Sequence, residues 1–214
     1  MTIQNWDKRL GVYLVMDIGD VNGQSALAIA QAAIAGGVDV IQLREKKAPL
    51  HDVIETGRKL CKLCRDHGVL FIVNDRVDVA LLLEADGVHV GQDDLPADEA
   101  RRLVGTDMFI GVSASSMEEA QRALEQGADY LGVGAIYATN SKSDAGDPVT
   151  PQLIADIRAI TSVPLVGIGG ITVDNCTDVM EHGADGVAVI SAIVGAPDPK
   201  AAAALLKRRI AAYI

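Results

Sequence analysis

Eight short apolar runs recur along the chain, and a stretch with helical periodicity follows each of them. The runs are rich in Val, Ile and Leu and have the length of buried β-strands. They span residues 12–16, 40–43, 69–73, 87–90, 109–112, 130–133, 165–168 and 186–190. The predicted helices span residues 25–35, 50–67, 77–83, 97–104, 117–125, 151–160, 173–181 and 200–213. Strict alternation of this kind predicts parallel strands joined by right-handed crossovers.

The number of these βα units favours a closed barrel over an open sheet. Eight units close into a (β/α)₈ TIM barrel, whereas a doubly wound sheet more often has about five or six strands and a dominant glycine-rich first turn. Hydrophobic residues make up 49% of the 214 residues but aromatic residues only 3%, so Val, Ile, Leu and Ala must fill the core. No Gly/Ser-rich linker divides the chain, and residues 1–214 are predicted to form a single α/β domain.

The charge of the chain bears on its partners. The formal net charge is −10, and a diffuse acidic excess argues against a nucleic-acid or anionic-membrane surface. The first ten residues lack a signal-peptide pattern, and no apolar stretch reaches the ~18 residues of a membrane span. We therefore expect a cytoplasmic protein that acts on small molecules. A homo-oligomer stays open, because the sequence does not fix the oligomeric state.

Two cysteines have a spacing found in redox and zinc sites. Cys61 and Cys64 are separated by two residues, but they lie inside a predicted helix with no second Cys/His pair nearby. We therefore expect the two cysteines to pack as part of the helix and not to form a redox or metal site.

A small residue followed by Asp precedes four of the predicted strands. The repeat ends in Asp39, Asp86, Asp129 and Asp185. Residues that precede barrel strands lie at the face associated with stability rather than catalysis. These aspartates are therefore predicted to be structural.

Polar side chains at the ends of the predicted strands are the candidates for chemistry. Arg44 and Lys46 are two residues apart on an extended segment, so they share a face and can grip one phosphate group. The alternative is an ordinary solvated charge cluster, since Glu45 and Lys47 lie beside them.

Two aspartates follow neighbouring strands. Asp75 and Asp94 are one βα unit apart, which places both at the same mouth of the barrel. Mg²⁺ usually takes one or two protein carboxylates and fills its other positions with water and phosphate oxygens. The alternative for Asp75 is a helix N-cap, because a predicted helix begins at residue 77.

The loops after the last three strands have features of an anion site. A long polar loop at residues 138–148 carries Thr139, Ser141 and Lys142, although solvation alone would explain its composition. Glycines at 169–170 and the segment 190–192 follow strands seven and eight, where barrels often bind phosphate.

His89 lies within the fourth predicted strand. A hydrogen-bonded histidine inside the barrel is favoured over a general acid–base. The sequence shows no Ser/His/Asp or Cys/His triad, Walker loop or dinucleotide fingerprint, which makes nucleotide hydrolysis and dinucleotide chemistry poor candidates.

Seven segments, in this order and spacing, resemble those of thiamine-phosphate synthases (thiamine-phosphate pyrophosphorylases). The segments, which span nearly the whole chain, are QLREK at 42–46, NDR at 74–76, DGVHVGQDDLP at 86–96, GVS at 111–113, ADYLGVGAIYATNSK at 128–142, GIGGI at 167–171 and ADGVAVISAI at 184–193.

The resemblance implies a Mg²⁺-dependent transferase that joins 4-amino-2-methyl-5-pyrimidinylmethyl diphosphate to a thiazole phosphate by dissociative substitution. It implies that Asp75 and Asp94 hold Mg²⁺ and that Ser113 lies beside the reacting groups. The implied contacts to the pyrimidine diphosphate are Gln42, Arg44, Lys46, Asn74 and Lys142, with Leu43 and Glu45 in the same binding segment. The implied contacts to the thiazole phosphate are Thr139, Asn140, Ser141, Gly170, Ile190 and Ser191. Arg44, Lys46, Ser113 and Lys142 are the implied catalytic side chains.

The chain departs from the family pattern at two places. Asn140 replaces the rigid proline common between the two loop hydroxyls, and Ser115 stands where many relatives carry a histidine. A thiazole tautomerase would use that histidine as an acid–base. Tautomerisation and a non-catalytic regulatory role are therefore the alternatives to condensation.

Overall fold

The computed structural model describes residues 10–139, 141 and 147–214. The strands are β1 (Val12–Met16), β2 (Val40–Leu43), β3 (Leu70–Asn74), β4 (Gly87–Val90), β5 (Phe109–Ala114), β6 (Tyr130–Val133), β7 (Leu165–Ile168) and β8 (Gly186–Val189). The helices are α1 (Ala26–Ala35), α2 (Leu50–His67), α3 (Val77–Leu82), α4 (Ala97–Val104), α5 (Met117–Glu125), α6 (Gln152–Arg158), α7 (Cys176–Glu181), α8 (Ser191–Val194) and α9 (Pro199–Ile210).

The eight strands form a closed parallel barrel in chain order, with β8 pairing back onto β1. Leu14, for example, lies opposite Ile41 of β2 on one side and Val189 of β8 on the other. Helices connect the strands, as in every right-handed βα unit. The TIM-barrel prediction is therefore confirmed.

Several element ends differ from the predicted ones for local reasons. Ser25 lies just outside α1 as its N-cap, and its side chain accepts a hydrogen bond from the backbone of Ala28. Helix α7 begins at Cys176 rather than at residue 173, because the side chain of Asn175 accepts from the backbone N–H of Thr172 in the preceding turn. Helix α8 was not predicted, since four residues are too few to show helical periodicity.

The barrel separates two apolar layers. A small cluster inside the barrel is built from Leu10, Tyr13, Val15, Val40, Leu70, Ile72, Phe109, Tyr130, Val166 and Ala188. A much larger cluster lies between the strands and the surrounding helices and consists mainly of Val, Ile, Leu and Ala. Gln42 and His89 are the buried polar residues among those described.

The repeated aspartates tie neighbouring strands together at the start of the barrel. The carboxylates of Asp39, Asp86, Asp129 and Asp185 accept hydrogen bonds at 2.7–2.8 Å from the backbone N–H groups of Val12, Phe71, Ile110 and Leu165. Each aspartate thus links the strand it precedes to the strand before it. Lys207, Arg101 and Arg158 form ion pairs with Asp39, Asp129 and Asp185. The repeat lies where the sequence placed it, before the strands.

We expect Asp129→Ala to lower the free energy of unfolding by about 2 kcal/mol, because the buried N–H of Ile110 and the guanidinium of Arg101 both lose their acceptor. Urea denaturation measures this loss. Asp107→Ala, at an exposed position in the preceding turn, is the matched control and should change stability by less than about 0.5 kcal/mol. Equal effects of the two substitutions would contradict the structural role.

None of the helices in the described part of the chain is both long enough and apolar enough to cross a membrane.

Candidate active site

A cavity of about 1140 Å³ opens at the carboxyl ends of the strands. That face of a parallel barrel carries the functional residues of such folds. The residues proposed from the sequence that line the cavity are Arg44, Lys46, Asn74, Asp75, Asp94, Ser113, Thr139, Ser141, Gly170, Ile190 and Ser191. The polar strand ends thus converge on one site.

Asp75 and Asp94 lie side by side in this cavity and are called the carboxylate pair below. Their side chains are within hydrogen-bonding distance, and the ammonium of Lys46 forms an ion pair with Asp75. Burial raises the pKa of the Asp75 carboxyl and the neighbouring Asp94 raises it further, while Lys46 acts in the opposite direction. The pair therefore favours the presence of positive charge.

The backbone around each carboxylate is specialised. Asp75 has a positive φ of 61°, and its N–H donates to the carbonyl of His89 at 2.7 Å, which fixes the end of β3 against β4. Asp94 accepts from the N–H of Gly91 at 2.8 Å. A Cβ atom at Gly91 would lie 2.9 Å from the same carboxylate oxygen, so a larger residue there would require the Asp94 side chain to shift.

The capping alternative for Asp75 does not match the observed geometry. Arg76 occupies the N-cap position of α3, and no side-chain capping bond is found there in the described part of the chain. The guanidinium of Arg76 instead pairs with Asp78 outside the cavity wall. The side chain of Asp75 is directed to the carboxylate pair and Lys46.

Arg44 and Lys46 both line the cavity, as the spacing predicted. Glu45, which lies between them, binds backbone groups of its own loop. Its carboxylate accepts from the N–H groups of Lys47 at 2.7 Å and Ala48 at 3.0 Å. Partial burial opposes its ionisation, but these backbone bonds outweigh that effect and lower the pKa of Glu45. Glu45 therefore stabilises the loop that presents the two basic side chains.

Gln42, Leu43 and Glu45 do not belong to the cavity wall as the described residues define it. Leu43 packs among the residues between the barrel and its helices. Gln42 is only 3% exposed, and its amide donates to the hydroxyl of Tyr13 inside the barrel. Direct side-chain contact of these three residues with a ligand stays a prediction that the geometry does not favour.

The other side of the cavity carries hydroxyl groups. Ser141 donates from its hydroxyl to Ser191 at 3.1 Å, and its backbone N–H donates to Thr139 at 3.1 Å. We call Thr139, Ser141 and Ser191 the hydroxyl wall. Gly170, with a φ of 64°, and Ile190 complete this side. Asn140 and Lys142 lie outside the described residues.

Ser113 lies within β5, and it contacts the loop after β4 that leads to Asp94. Its hydroxyl is 2.9 Å from Nε2 of His89, and its carbonyl accepts from the amide of Gln92 at 2.6 Å. Ser115 is fixed by Glu119, which accepts from both its hydroxyl and its N–H. The described part of the cavity wall contains no histidine.

Among the residues that the structure describes, the cysteines join no cluster that could hold a metal. Cys61 and Cys64 are buried in α2, and burial raises the pKa of both thiols. The described residues contain no group of three or more His, Cys, Asp and Glu side chains that could hold a metal. An ion held by the carboxylate pair would take its other ligands from water and from ligand oxygens.

Several polar residues of the cavity wall have no individual role predicted from the sequence. Gln92 and Asp93 directly precede Asp94, and Glu119 and Asp147 also line the cavity. Gln92 and Asp93 follow β4, so the rule that strand ends carry function would have found them. Glu119 lies in the first turn of a helix, and nothing in the sequence distinguishes it from a surface residue.

Comparisons with known proteins identify relatives of this chain. A family model described as "Thiamine monophosphate synthase" matches residues 12–193. The chain is 50% identical over 202 residues to the thiamine-phosphate synthase of Moorella thermoacetica, covering 94% of each chain. It is 52% identical over 196 residues to that of Chloroflexus aurantiacus, covering 92% of this chain and 90% of the relative.

A solved structure extends the similarity to three dimensions. Thiamine phosphate pyrophosphorylase from Pyrococcus furiosus superposes with a TM-score of 0.90 at 37% identity, covering 98% of this chain and 100% of that one. The family model spans every barrel strand and every described residue of the cavity wall, so the chain belongs to the thiamine-phosphate synthase family of transferases.

Proposed function

We propose that the protein condenses 4-amino-2-methyl-5-pyrimidinylmethyl diphosphate with a thiazole phosphate, releasing pyrophosphate and forming thiamine phosphate. The observation that carries the proposal is the division of one cavity into two sides. Lys46, Arg44 and the carboxylate pair lie on one side, and the hydroxyl wall lies on the other. A diphosphate and a monophosphate substrate require two such anion sites that open to each other.

The carboxylate pair is our proposed Mg²⁺ site. Two hard oxygen ligands in contact, with the pKa of Asp75 raised by burial and by Asp94, fit a small divalent cation. When bound, Mg²⁺ would neutralise part of the charge on the diphosphate. Asp75 and Asp94 would hold it, while its other positions remain for water and diphosphate oxygens.

The basic side chains would act on the leaving group. In a dissociative substitution the C–O bond to the diphosphate breaks first, so negative charge develops on its bridging oxygen. Arg44 and Lys46 offer a planar fork and a compact ammonium group in fixed positions on the cavity wall. They would stabilise the departing diphosphate more strongly than the bound substrate.

The remaining residues would position the nucleophile. The hydroxyl wall and the backbone around Gly170 would hold the thiazole phosphate, so that its ring nitrogen captures the pyrimidine methyl cation before water does. The family resemblance adds Lys142 to the diphosphate side and Asn140 to the thiazole side. Asn74 and Ser113 lie near the carboxylate pair and would contact the pyrimidine substrate.

The direct test is to incubate the purified protein with both phosphorylated substrates, with and without Mg²⁺. Thiamine phosphate and pyrophosphate should appear in equal amounts, and only when the divalent ion is present. Isomerisation of the thiazole phosphate without condensation would support the tautomerase alternative, which Ser115 disfavours. Tight binding of both substrates without product would support a regulatory role.

Gly170→Ala should raise the KM for the thiazole phosphate by about tenfold, with a smaller change for the pyrimidine diphosphate. Gly170 has a φ of 64°, and a Cβ atom there would lie 2.7 Å from the carbonyl of Ala138 in the loop that carries the hydroxyl wall. The substitution would push the loop that carries Thr139 and Ser141 of the hydroxyl wall away from its ligand. Steady-state kinetics with each substrate varied in turn measures the effect.

Gly68→Ala is the matched control for this substitution. Gly68 has nearly the same φ, 68°, but a Cβ atom there would have no neighbour within 4 Å. Both alanines carry the strain of a left-handed backbone, so both should lower stability. Only the change at Gly170 should alter KM, and equal KM values for both variants would remove Gly170 from the proposed phosphate site.

A further inference from the structure

Five side chains form a continuous hydrogen-bonded chain through the inside of the barrel. Nε2 of Gln42 donates to the hydroxyl of Tyr13 at 2.7 Å, and the two phenolic oxygens of Tyr13 and Tyr130 are 2.9 Å apart. The hydroxyl of Tyr130 is 3.0 Å from Nδ1 of His89, and Nε2 of His89 is 2.9 Å from the hydroxyl of Ser113. Ser113 lines the cavity, so the chain ends there.

The interior of the barrel is built around this chain. Gln42, Tyr13, Tyr130 and His89 are at most 9% exposed and lie among apolar side chains. Burying this many polar groups inside an otherwise apolar barrel carries a desolvation cost, which their mutual hydrogen bonds offset. A polar chain of this length is therefore a specific feature of the barrel interior.

Two glycines make room for the rings. A Cβ atom at Gly111 would lie 2.1 Å from the ring of Tyr130, and one at Gly132 would lie 2.9 Å from Cε1 of His89. Larger residues on these strands would displace the two rings that connect Tyr13 to Ser113. Glycine inside a strand weakens the strand. Its presence at both positions is therefore consistent with a need for the rings of Tyr130 and His89 to approach the backbone closely.

The amide of Gln42 is the donor at one end of the hydrogen-bonded side chains, and it favours one direction of proton donation along them. Tyr13 accepts from Gln42, and its own proton can then be donated to the hydroxyl of Tyr130, which lies 2.9 Å away. Burial raises the pKa of both phenols, which keeps them protonated. Tyr130 can then donate to Nδ1 of His89, which leaves the ring proton on Nε2 and makes Ser113 the acceptor. The hydroxyl proton of Ser113 is free to point into the cavity.

We propose that Tyr13, Tyr130 and His89 are positioning residues for Ser113. The two tyrosines hold His89 in its Nε2–H tautomer, and His89 then orients the Ser113 hydroxyl as a donor to the diphosphate. The inference rests on the proposed function. Ser113 lies beside β4, whose end leads to Asp94, and Gln92 from the same loop donates to its carbonyl. A donor at this place faces the side of the cavity that would receive the leaving group.

Histidine ¹⁵N NMR tests the tautomer without any substrate. The protein contains four histidines, so the His89 signals can be assigned by comparison with the His89→Gln variant. At neutral pH we expect a protonated Nε2 and an unprotonated Nδ1, and Tyr130→Phe should abolish the single-tautomer pattern. An Nδ1–H tautomer in the wild-type protein would overturn the proposed direction.

A double-mutant cycle tests the link to catalysis. Ser113→Ala should lower kcat by about a hundredfold. Tyr130 does not belong to the described cavity wall, so Tyr130→Phe should lower kcat by about tenfold with KM nearly unchanged. In the Ser113→Ala background, Tyr130→Phe should lower kcat by less than about twofold, because the hydroxyl that the hydrogen-bonded side chains orient is already absent. Tyr213→Phe removes an exposed phenolic hydrogen bond to Glu181 and should leave kcat unchanged.

The outcomes separate this inference from the proposed function. If Tyr130→Phe costs the same factor with and without Ser113, it acts through general destabilisation, and the positioning role is wrong although the enzyme condenses its substrates. If the wild-type protein forms no thiamine phosphate, the proposed function is wrong and the role of Ser113 in diphosphate departure is wrong with it. A thermal melt of each variant confirms that the compared proteins are folded.

Discussion

Asp75→Asn is expected to lower kcat by about a hundredfold or more at saturating substrates and Mg²⁺. The amide keeps the size of the side chain but removes its negative charge. Asp75 touches both Asp94 and Lys46, so it is the central member of the charged group on the diphosphate side. Losing its charge would weaken the proposed ion site and leave Lys46 without its partner. Product formation over a range of Mg²⁺ concentrations measures both effects.

The same substitution should not destabilise the protein, which distinguishes a functional role from a structural one. Burial raises the pKa of Asp75, so the folded state favours the protonated form over the charged one. Its contribution to stability is present at low pH and is lost as pH rises through the raised pKa. At neutral pH without Mg²⁺, the unfolding temperature of Asp75→Asn should therefore equal or exceed that of the wild type.

The matched control for Asp75 is three residues further along. Asp78→Asn removes an exposed carboxylate that pairs with Arg76 away from the cavity wall, and its turnover should stay near that of the wild type. If Asp75→Asn also turned over normally, no ion or leaving-group role could be assigned to the carboxylate pair. A large drop in unfolding temperature would assign Asp75 to the fold instead.

The barrel and the position of its site could be predicted from the sequence because both follow from local patterns. Each strand is an apolar run of four to six residues, and the polar candidates lie near the carboxyl ends of these strands or in the loops that follow them. Once the strands close in chain order, residues far apart in sequence, such as Asp75 and Ser191, must reach the same mouth. The structural role of the repeated aspartates could be predicted in the same way, because each of them precedes a strand.

The interior of the barrel could not be predicted in this way. Tyr13 and Tyr130 are 117 residues apart, and their contact depends on the diameter of the closed barrel and on the small residue at Gly111. The place of Gln42 at a strand end likewise did not indicate that its side chain donates to Tyr13 inside the barrel. A strand end fixes the height of a residue but not the direction of its side chain.

Lys46→Ala is expected to lower kcat/KM for the pyrimidine diphosphate by about a hundredfold. Its ammonium group lies on the cavity wall and pairs with Asp75, although 45% of the side chain is exposed to solvent. That exposure makes a structural role weak, because an exposed ion pair contributes less than about 1 kcal/mol to stability. The loss should therefore appear in catalysis, and product inhibition by pyrophosphate should weaken by about tenfold.

Lys47→Ala provides the matched control, since it removes the same charge one residue away. The backbone N–H of Lys47 is held by Glu45, and its exposed side chain does not belong to the described cavity wall. Both variants change the net charge of −10 by the same amount, so long-range attraction of the anionic substrates weakens equally in each. A hundredfold difference between them must come from the position of the ammonium group of Lys46, whereas equal losses would mean that the overall field, not a grip on the diphosphate, determines the rate.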